Sequence, residues 1–225
     1  MKKVMIFIVV CLFTAPLFAS GPAGLTIEID KKKLEAGKLQ VFTEKSEVAG
    51  KGKKKRVIGV LLFDAPPEKL WGAICDWESM SSYVPNLNYY KIKHVVSPLK
   101  QSGIPGKALI EGEISVAFMG IKYTLAVTFD NDRFYQDWRL ISDDEIKTYG
   151  NALIKLEKSS SSIQAIEGYG YIEPYSNGEK SVYYYSTVVE TNVPVPGFVE
   201  RGISKSSLKG YMKGLKKKMA KSEEK

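Results

Sequence analysis

The chain is poor in the residues that build most metal and thiol chemistry. Its 225 residues include one histidine and two cysteines. Cys11 lies in an N-terminal apolar run and Cys75 stands alone beyond it, so no intramolecular disulfide forms once that run is removed. A zinc site of Cys and His ligands lacks its usual set. Also missing are a phosphate-binding glycine loop, a nucleophile elbow, a Walker motif and any internal repeat. What is present is the material of a folded protein. With 44% hydrophobic, 26% charged and 11% aromatic residues, the chain can bury a core and is neither a disordered tail nor a disulfide-stapled miniprotein. Its length predicts one sizeable domain, or two small ones at most.

Residues 1–19 read as an export signal. Lys2 and Lys3 form a basic start, Val4 to Phe13 an apolar stretch, and Ala15-Pro16-Leu17-Phe18-Ala19 a cleavage region, with Gly21-Pro22-Ala23 as a second site. The apolar stretch is shorter than the roughly 20 residues that span a bilayer. Cys11 follows Val10, where a lipoprotein signal would have a small residue. The two-lysine start looks bacterial, so a periplasmic or secreted protein is expected.

Loss of Lys2 and Lys3 takes two charges from the formal +8 and leaves +6. The excess is concentrated at Lys51-Gly52-Lys53-Lys54-Lys55-Arg56 and over Lys213 to Lys221. One reading makes both clusters solvated surface. The other makes them a dock for an anionic membrane, through Lys53, Lys54, Lys55, Arg56, Lys216, Lys217 and Lys218. Nucleic acid is not an expected partner, because the clusters carry no interleaved aromatics that could stack on bases.

Hydrophobic period then sorts the chain into elements. Leu39 to Val48 and Arg56 to Asp64 read as a hairpin across Ala49-Gly50-Lys51-Gly52. Pro66-Pro67 opens a helix carrying Leu70, Trp71, Ile74 and Trp77 at helical spacing to about Met80, before a break at Ser81 to Asn86. Strict alternation predicts strands over Lys107 to Phe118 and Ile121 to Phe129, joined at Met119-Gly120, and another over Phe134 to Ile141. Asp143 to Gly150 is ambiguous. Ile163 to Tyr175 and Ser181 to Thr191 flank Ser176-Asn177-Gly178-Glu179, a strong hairpin signal. A helix from about Pro196 to Lys221 carries Val199, Ile203, Ser207, Tyr211, Leu215 and Met219 on one stripe, widened by Leu208 and Met212. Gly202, Gly210 and Gly214 weaken that helix, so it relies on packing. They leave room beside it either for a close neighbour or for a ligand.

This order of elements resembles the START-like superfamily, which includes START lipid-transfer domains, birch-pollen-allergen-like proteins, polyketide cyclases and coenzyme Q-binding proteins. The resemblance covers about Arg56 to Met219 and is sharpest at Phe63-Asp64-Ala65-Pro66-Pro67-Glu68-Lys69-Leu70-Trp71, at Asp76, and at Thr191-Asn192-Val193-Pro194-Val195-Pro196-Gly197-Phe198. It implies an α+β helix-grip fold, a curved antiparallel sheet wrapped around the C-terminal helix with an apolar cavity between. The expected organisation is a leader at 1–19, an N-terminal extension at 20–55 with a first strand, a START-like domain at 56–221 and a polar tail at 222–225. The extension adds an edge strand or serves as a flexible lead.

The functional expectation is a non-catalytic carrier of a lipid, quinone or sterol-like molecule, monomeric and without cofactor or metal. Alternatives are a polyketide cyclase or aromatase-like enzyme on a small hydrophobic substrate, and an interaction module with a filled core. His94, which strand alternation places with Ile92 and Val96 on the more apolar side, and the Glu111/Glu113 pair are the acid/base candidates, and each reads more readily as structural, with both glutamates facing outward. Thirteen tyrosines, nine phenylalanines and three tryptophans are the better clue, because a tyrosine offers an apolar ring and a polar tip to an amphipathic ligand. Alternation and the resemblance together give Trp71, Tyr83, Tyr123, Leu125, Trp138, Phe198, Ile203 and Tyr211 as pocket candidates.

Overall fold

The computed structural model describes residues 27–48, 52–98, 105–116, 119–149, 155–156, 158–191 and 197–221. The expected leader, the polar tail and Asn192 to Pro196 lie outside the described residues. Eight strands form one antiparallel sheet. They are β1 (Gln40–Val48), β2 (Gly52–Phe63), β3 (Leu87–Pro98), β4 (Pro105–Val116), β5 (Met119–Asp130), β6 (Tyr135–Leu140), β7 (Ile163–Tyr175) and β8 (Lys180–Thr191). Their order is β1-β2-β8-β7-β6-β5-β4-β3. The first hairpin therefore joins the last strand, through pairs such as Gly59 with Tyr185. Helices α1 (Lys31–Glu35), α2 (Pro67–Cys75), α3 (Asp143–Tyr149) and α4 (Gly197–Lys221) complete the fold.

Period-2 alternation gives the sheet two apolar faces of different use. Ile121, Tyr123, Leu125, Val127 and Phe129 of β5 point inward, and all are buried in the main core. On α4, Leu208, Tyr211, Met212, Leu215 and Met219 recur at three- and four-residue steps and enter the same core. Burying each such side chain contributes about 1.5–3 kcal/mol, which offsets the helix-weakening glycines. In the run Tyr183-Tyr184-Tyr185, the outer two face the core and Tyr184 faces away.

The outer face of β2, β7 and β8 is covered by the N-terminal region. Leu34 of α1, with Ile27, Ile29 and Phe42, packs on Ile58, Val60, Leu62 and a stacked ladder of Tyr135, Tyr169, Tyr171 and Tyr184. Asp30 caps α1 by accepting from Lys33 N at 3.1 Å. Residues 27–48 thus supply an edge strand and a cover for apolar sheet surface.

Three local expectations are corrected. The helix read as running to Met80 stops at Cys75, and a 3₁₀ turn follows over Glu78–Ser82. At the break Asp76 leaves helical geometry and takes Lys218 Nζ at 3.0 Å, while Trp77 turns into the core. Met119 and Gly120 are not the turn but already strand, paired with Val116 and Ser115. His94 does not share a side with Ile92. A register shift lies between them, after which Ile92 opposes the inward Ile110 and His94 opposes Leu109 of the outer face.

The ambiguous stretch after β6 is a helix with a capping box. Glu145 N donates to Ser142 Oγ at 3.2 Å, and Ser142 N donates back to Glu145 Oε2 at 3.0 Å. Ile146 then seals Leu109 and Ala126 on the outer face. Hydrogen bonds from Arg139, against a smaller effect of burial, bring the Glu145 carboxyl down to about 2. The sign follows: this contribution is complete above the unfolded carboxylate range and is lost as pH falls toward 2. Ser142→Ala is expected to cost about 1 kcal/mol, read as a lower urea midpoint at neutral pH with an unchanged slope.

Candidate functional site

The concave side of the sheet does not close fully on α4. A cavity of about 180 Å³ remains between β3–β8, the loop after the 3₁₀ turn and the middle of α4. Trp77, Tyr90, Tyr123, Leu125, Trp138, Ile166, Tyr185, Leu208 and Tyr211 supply most of its wall. Its rim carries Lys55, Pro85 and Asn86, all exposed, and Val189, which is 39% exposed. A cavity of about 150 Å³ in an apolar core accepts one benzene ring. This one therefore holds a ring or a short acyl segment, and a longer ligand leaves part of itself at the rim.

Two glycines set the shape of the wall. Tyr90 pairs with Gly112, and Trp138 pairs with Gly168. A Cβ on Gly112 would stand 2.5 Å from Tyr90 Cε1, and one on Gly168 would run into the Trp138 indole and the Ser186 carbonyl. Each missing side chain lets the partner's ring lie flat on the neighbouring strand. The rings then pave the floor, with Trp77 at 4.9 Å from Tyr90 and 5.9 Å from Trp138 between centroids.

Polar atoms in the wall are paired with one another. Tyr90 and Tyr123 share a hydroxyl hydrogen bond of 3.0 Å, and Trp77 Nε1 donates to Gln136 Oε1 at 3.0 Å. Behind them Tyr183 and Tyr211 bond at 3.2 Å. Burial pushes the hydroxyls of Tyr90, Tyr123, Tyr183, Tyr185 and Tyr211 well up, so every one is a neutral phenol at neutral pH. Among the described residues no carboxylate, histidine or cysteine lines the cavity. Nor do any three Asp, Glu, His or Cys side chains stand close enough to hold a metal. Cys75 is half-buried outside the cavity wall, and burial pushes its thiol up, which leaves it a poor nucleophile.

Of the eight pocket candidates, Tyr123, Leu125, Trp138 and Tyr211 meet in this wall. Trp71 does not. It is buried at the β5–β6 turn, where its Nε1 donates to Asn131 Oδ1 at 2.7 Å and its ring meets Phe134 edge-on. Tyr83 lies on the other side of the loop, where its ring stacks on Tyr211 and Lys218 Nζ sits over it at 5.2 Å. Phe198 and Ile203 fall in the first turns of α4, whose side chains lie outside the described residues. Trp77, Tyr90, Gln136 and Tyr185 are wall residues that the sequence reading did not select. Alternation from Trp138 back to Gln136, and from Tyr183 on to Tyr185, carries that information.

The room beside α4 at two of its glycines is filled by protein. A Cβ on Gly210 would stand 2.6 Å from Pro85 Cγ, and one on Gly214 would enter the Tyr83 carbonyl. Neither acid/base candidate reaches the cavity. Glu111 faces outward and is nevertheless buried, accepting from Tyr89 Oη at 3.1 Å and pairing with Lys93 at 3.5 Å, while Glu113 takes Asn88. The basic clusters also divide. Arg56 is buried on Glu167, so it is not a docking residue, and Lys54 pairs with Glu190. Lys218 holds Asp76 and Ser79. Burial opposes the Asp76 charge, but hydrogen bonds from Ser79 and Lys218 keep its carboxyl below the usual range. Lys53, Lys55 and Lys217 remain exposed, and Lys216 is half-buried.

No family model and no curated protein matches the sequence. Solved structures match its fold. The chain is similar to a STAR-related lipid transfer protein from Xanthomonas axonopodis, at 12% identity over 81% of this chain and 93% of that one, with a TM-score of 0.57. It is also similar to a START superfamily protein from Mycobacterium smegmatis, at 14% identity over 74% and 97%, TM-score 0.53. A third similarity is to the Zhui aromatase/cyclase from a Streptomyces species, at 11% identity over 73% and 93%, TM-score 0.53. The fold is therefore START-like: an α+β helix-grip sheet around its C-terminal helix. Identities this low carry the fold and no activity.

Proposed function

We propose that this chain is an exported START-like protein that binds and carries a hydrophobic molecule in the cavity between sheet and α4. The observation that carries the reading is the wall itself: paired neutral phenols, an indole floor and aliphatic side chains, with Lys55 at the rim. Such a wall favours an apolar or aromatic body and tolerates a polar end near water. A lipid, a quinone or a sterol-like compound fits that description, with its remainder at Val189 and Lys55. The similar structures include a lipid transfer protein, which supports the same reading. Export rests on the basic start, the apolar run and the cleavage region of residues 1–19, and the periplasm is the proposed compartment.

The cyclase alternative requires a group that moves protons at neutral pH. Phenols held this far up do not serve as bases there, and His94 and Glu111 are not wall residues. Carriage is the reading that needs nothing the wall lacks. Exported protein purified without detergent and examined by native mass spectrometry is expected to carry a stoichiometric adduct that extracts into organic solvent. A clean apo mass, persisting after incubation with lipid and quinone extracts, would overturn the proposal.

A further inference from the structure

We infer that α4 docks the protein on an anionic phospholipid bilayer through a stripe of five lysines. Lys205, Lys209, Lys213, Lys217 and Lys221 follow one another at intervals of four residues, and all five are exposed. At about 1.5 Å and about 100° per residue they extend roughly 24 Å along the helix and advance about 40° per step. The stripe therefore winds across the solvent half of α4, opposite buried Leu208, Met212 and Leu215. None of the five forms an ion pair with another described residue. Lys218 and Lys54, by contrast, are each neutralised by a carboxylate. Lysines four apart repel along a helix and weaken it, so the fold gains nothing from this arrangement. Five unneutralised charges, in a chain whose formal net charge is +6 once Lys2 and Lys3 are gone, await an external anion.

A groove of about 450 Å³ runs beside the stripe, between α4 and the loop after the 3₁₀ turn. Lys213, Lys217 and Lys221 line one side, and Ser82, Tyr83 and Pro85 the other. Ammonium groups beside an aromatic ring suit a phosphate headgroup and the glycerol below it. A row of lysines acts as point charges and needs no bidentate geometry. Without arginine or interleaved aromatics, it suits a layer of headgroups better than nucleic acid. Pro85 lines both the groove and the cavity rim, so docking on this face brings the rim to the bilayer. The inference goes beyond ligand carriage and rests on the stripe, not on the cavity.

Flotation of the processed, purified protein with phosphatidylcholine vesicles, with and without phosphatidylglycerol, tests it. Binding is expected only with phosphatidylglycerol, falling steeply between about 0.1 M and about 0.5 M salt. Replacing all five lysines by glutamine is expected to weaken binding by about a hundredfold or more. Replacing them by arginine should retain it. Both variants should keep the wild-type circular dichroism, and the glutamine variant should keep its ligand uptake, which separates this test from that of the cavity. Equal binding to neutral vesicles, a glutamine variant that still binds like wild type, or duplex DNA bound as tightly as vesicles at the same salt would overturn the inference.

Discussion

Gly168→Ala is expected to lower the unfolding free energy by about 3 kcal/mol and to abolish ligand uptake in whatever protein still folds. The added Cβ meets two different obstacles. One is the Ser186 carbonyl of β8, which is held in the sheet by the Gly168–Thr187 and Tyr169–Ser186 pairing and has no freedom to withdraw. The other is the Trp138 indole, which is buried at 4% exposure between Trp77 and Tyr185. Relief comes by spreading β7 from β8 or by driving the indole inward, and the inward path ends in the cavity. Stability and occupancy should therefore fall together, read by urea denaturation and by the adduct in native mass spectrometry. A variant with wild-type stability and a full adduct would show that Trp138 is not pressed against this backbone. Gly72→Ala is the control: nothing lies within 4 Å of a Cβ there, and its helix-interior position makes alanine stabilising.

The parts of this fold that sequence made legible are those where one local period decides. Ile121 to Phe129 alternate without interruption, and Ser176-Asn177-Gly178 takes positive φ at all three positions, so strand and hairpin were written in neighbouring residues. What failed to show was set by partners distant in sequence. Helical spacing placed Trp71 and Trp77 on one apolar side, but whether an indole ends at Asn131 or at Gln136 depends on where α2 breaks. That break involves Lys218, 142 residues from Asp76 in sequence. His94 escaped because alternation assumes an unbroken ladder and β3 carries a bulge beside it. The Ser142–Glu145 capping box was legible and stood at the start of the segment left ambiguous. Gly210 and Gly214 announced close approach without naming the neighbour, and Tyr83 and Pro85 occupy the space.

Removing the Glu167 carboxylate is expected to be among the costliest polar changes in the domain. Glu167→Ala should destabilise by about 3 kcal/mol or more, because it strands a charge and not because it deletes an attraction. The Arg56 side chain is 8% exposed and donates to Glu167 Oε1 at 2.5 Å. Among the described residues its other close partners are the Ser186 hydroxyl at 3.2 Å and the Tyr169 ring at 5.5 Å, neither of which neutralises a guanidinium, and Glu44, opposite Arg56 on β1, forms no ion pair with it. Glu167 is better placed to survive the loss of its partner, since a quarter of its side chain meets solvent. Arg56→Met should therefore cost less than Glu167→Ala, and Arg56→Met with Glu167→Leu less than either single change predicts. Urea midpoints of the three variants read this order directly. Should Glu167→Ala cost under about 1 kcal/mol, the pair would behave as an exposed one and this account would fail. The ranking also explains the basic run at Lys51 to Arg56. Strand alternation puts Lys54 and Arg56 on one side of β2, where they take Glu190 of β8 and Glu167 of β7. Two of the five cations in that run are thereby a clasp that ties the first hairpin to β8 and β7, its neighbours in the sheet.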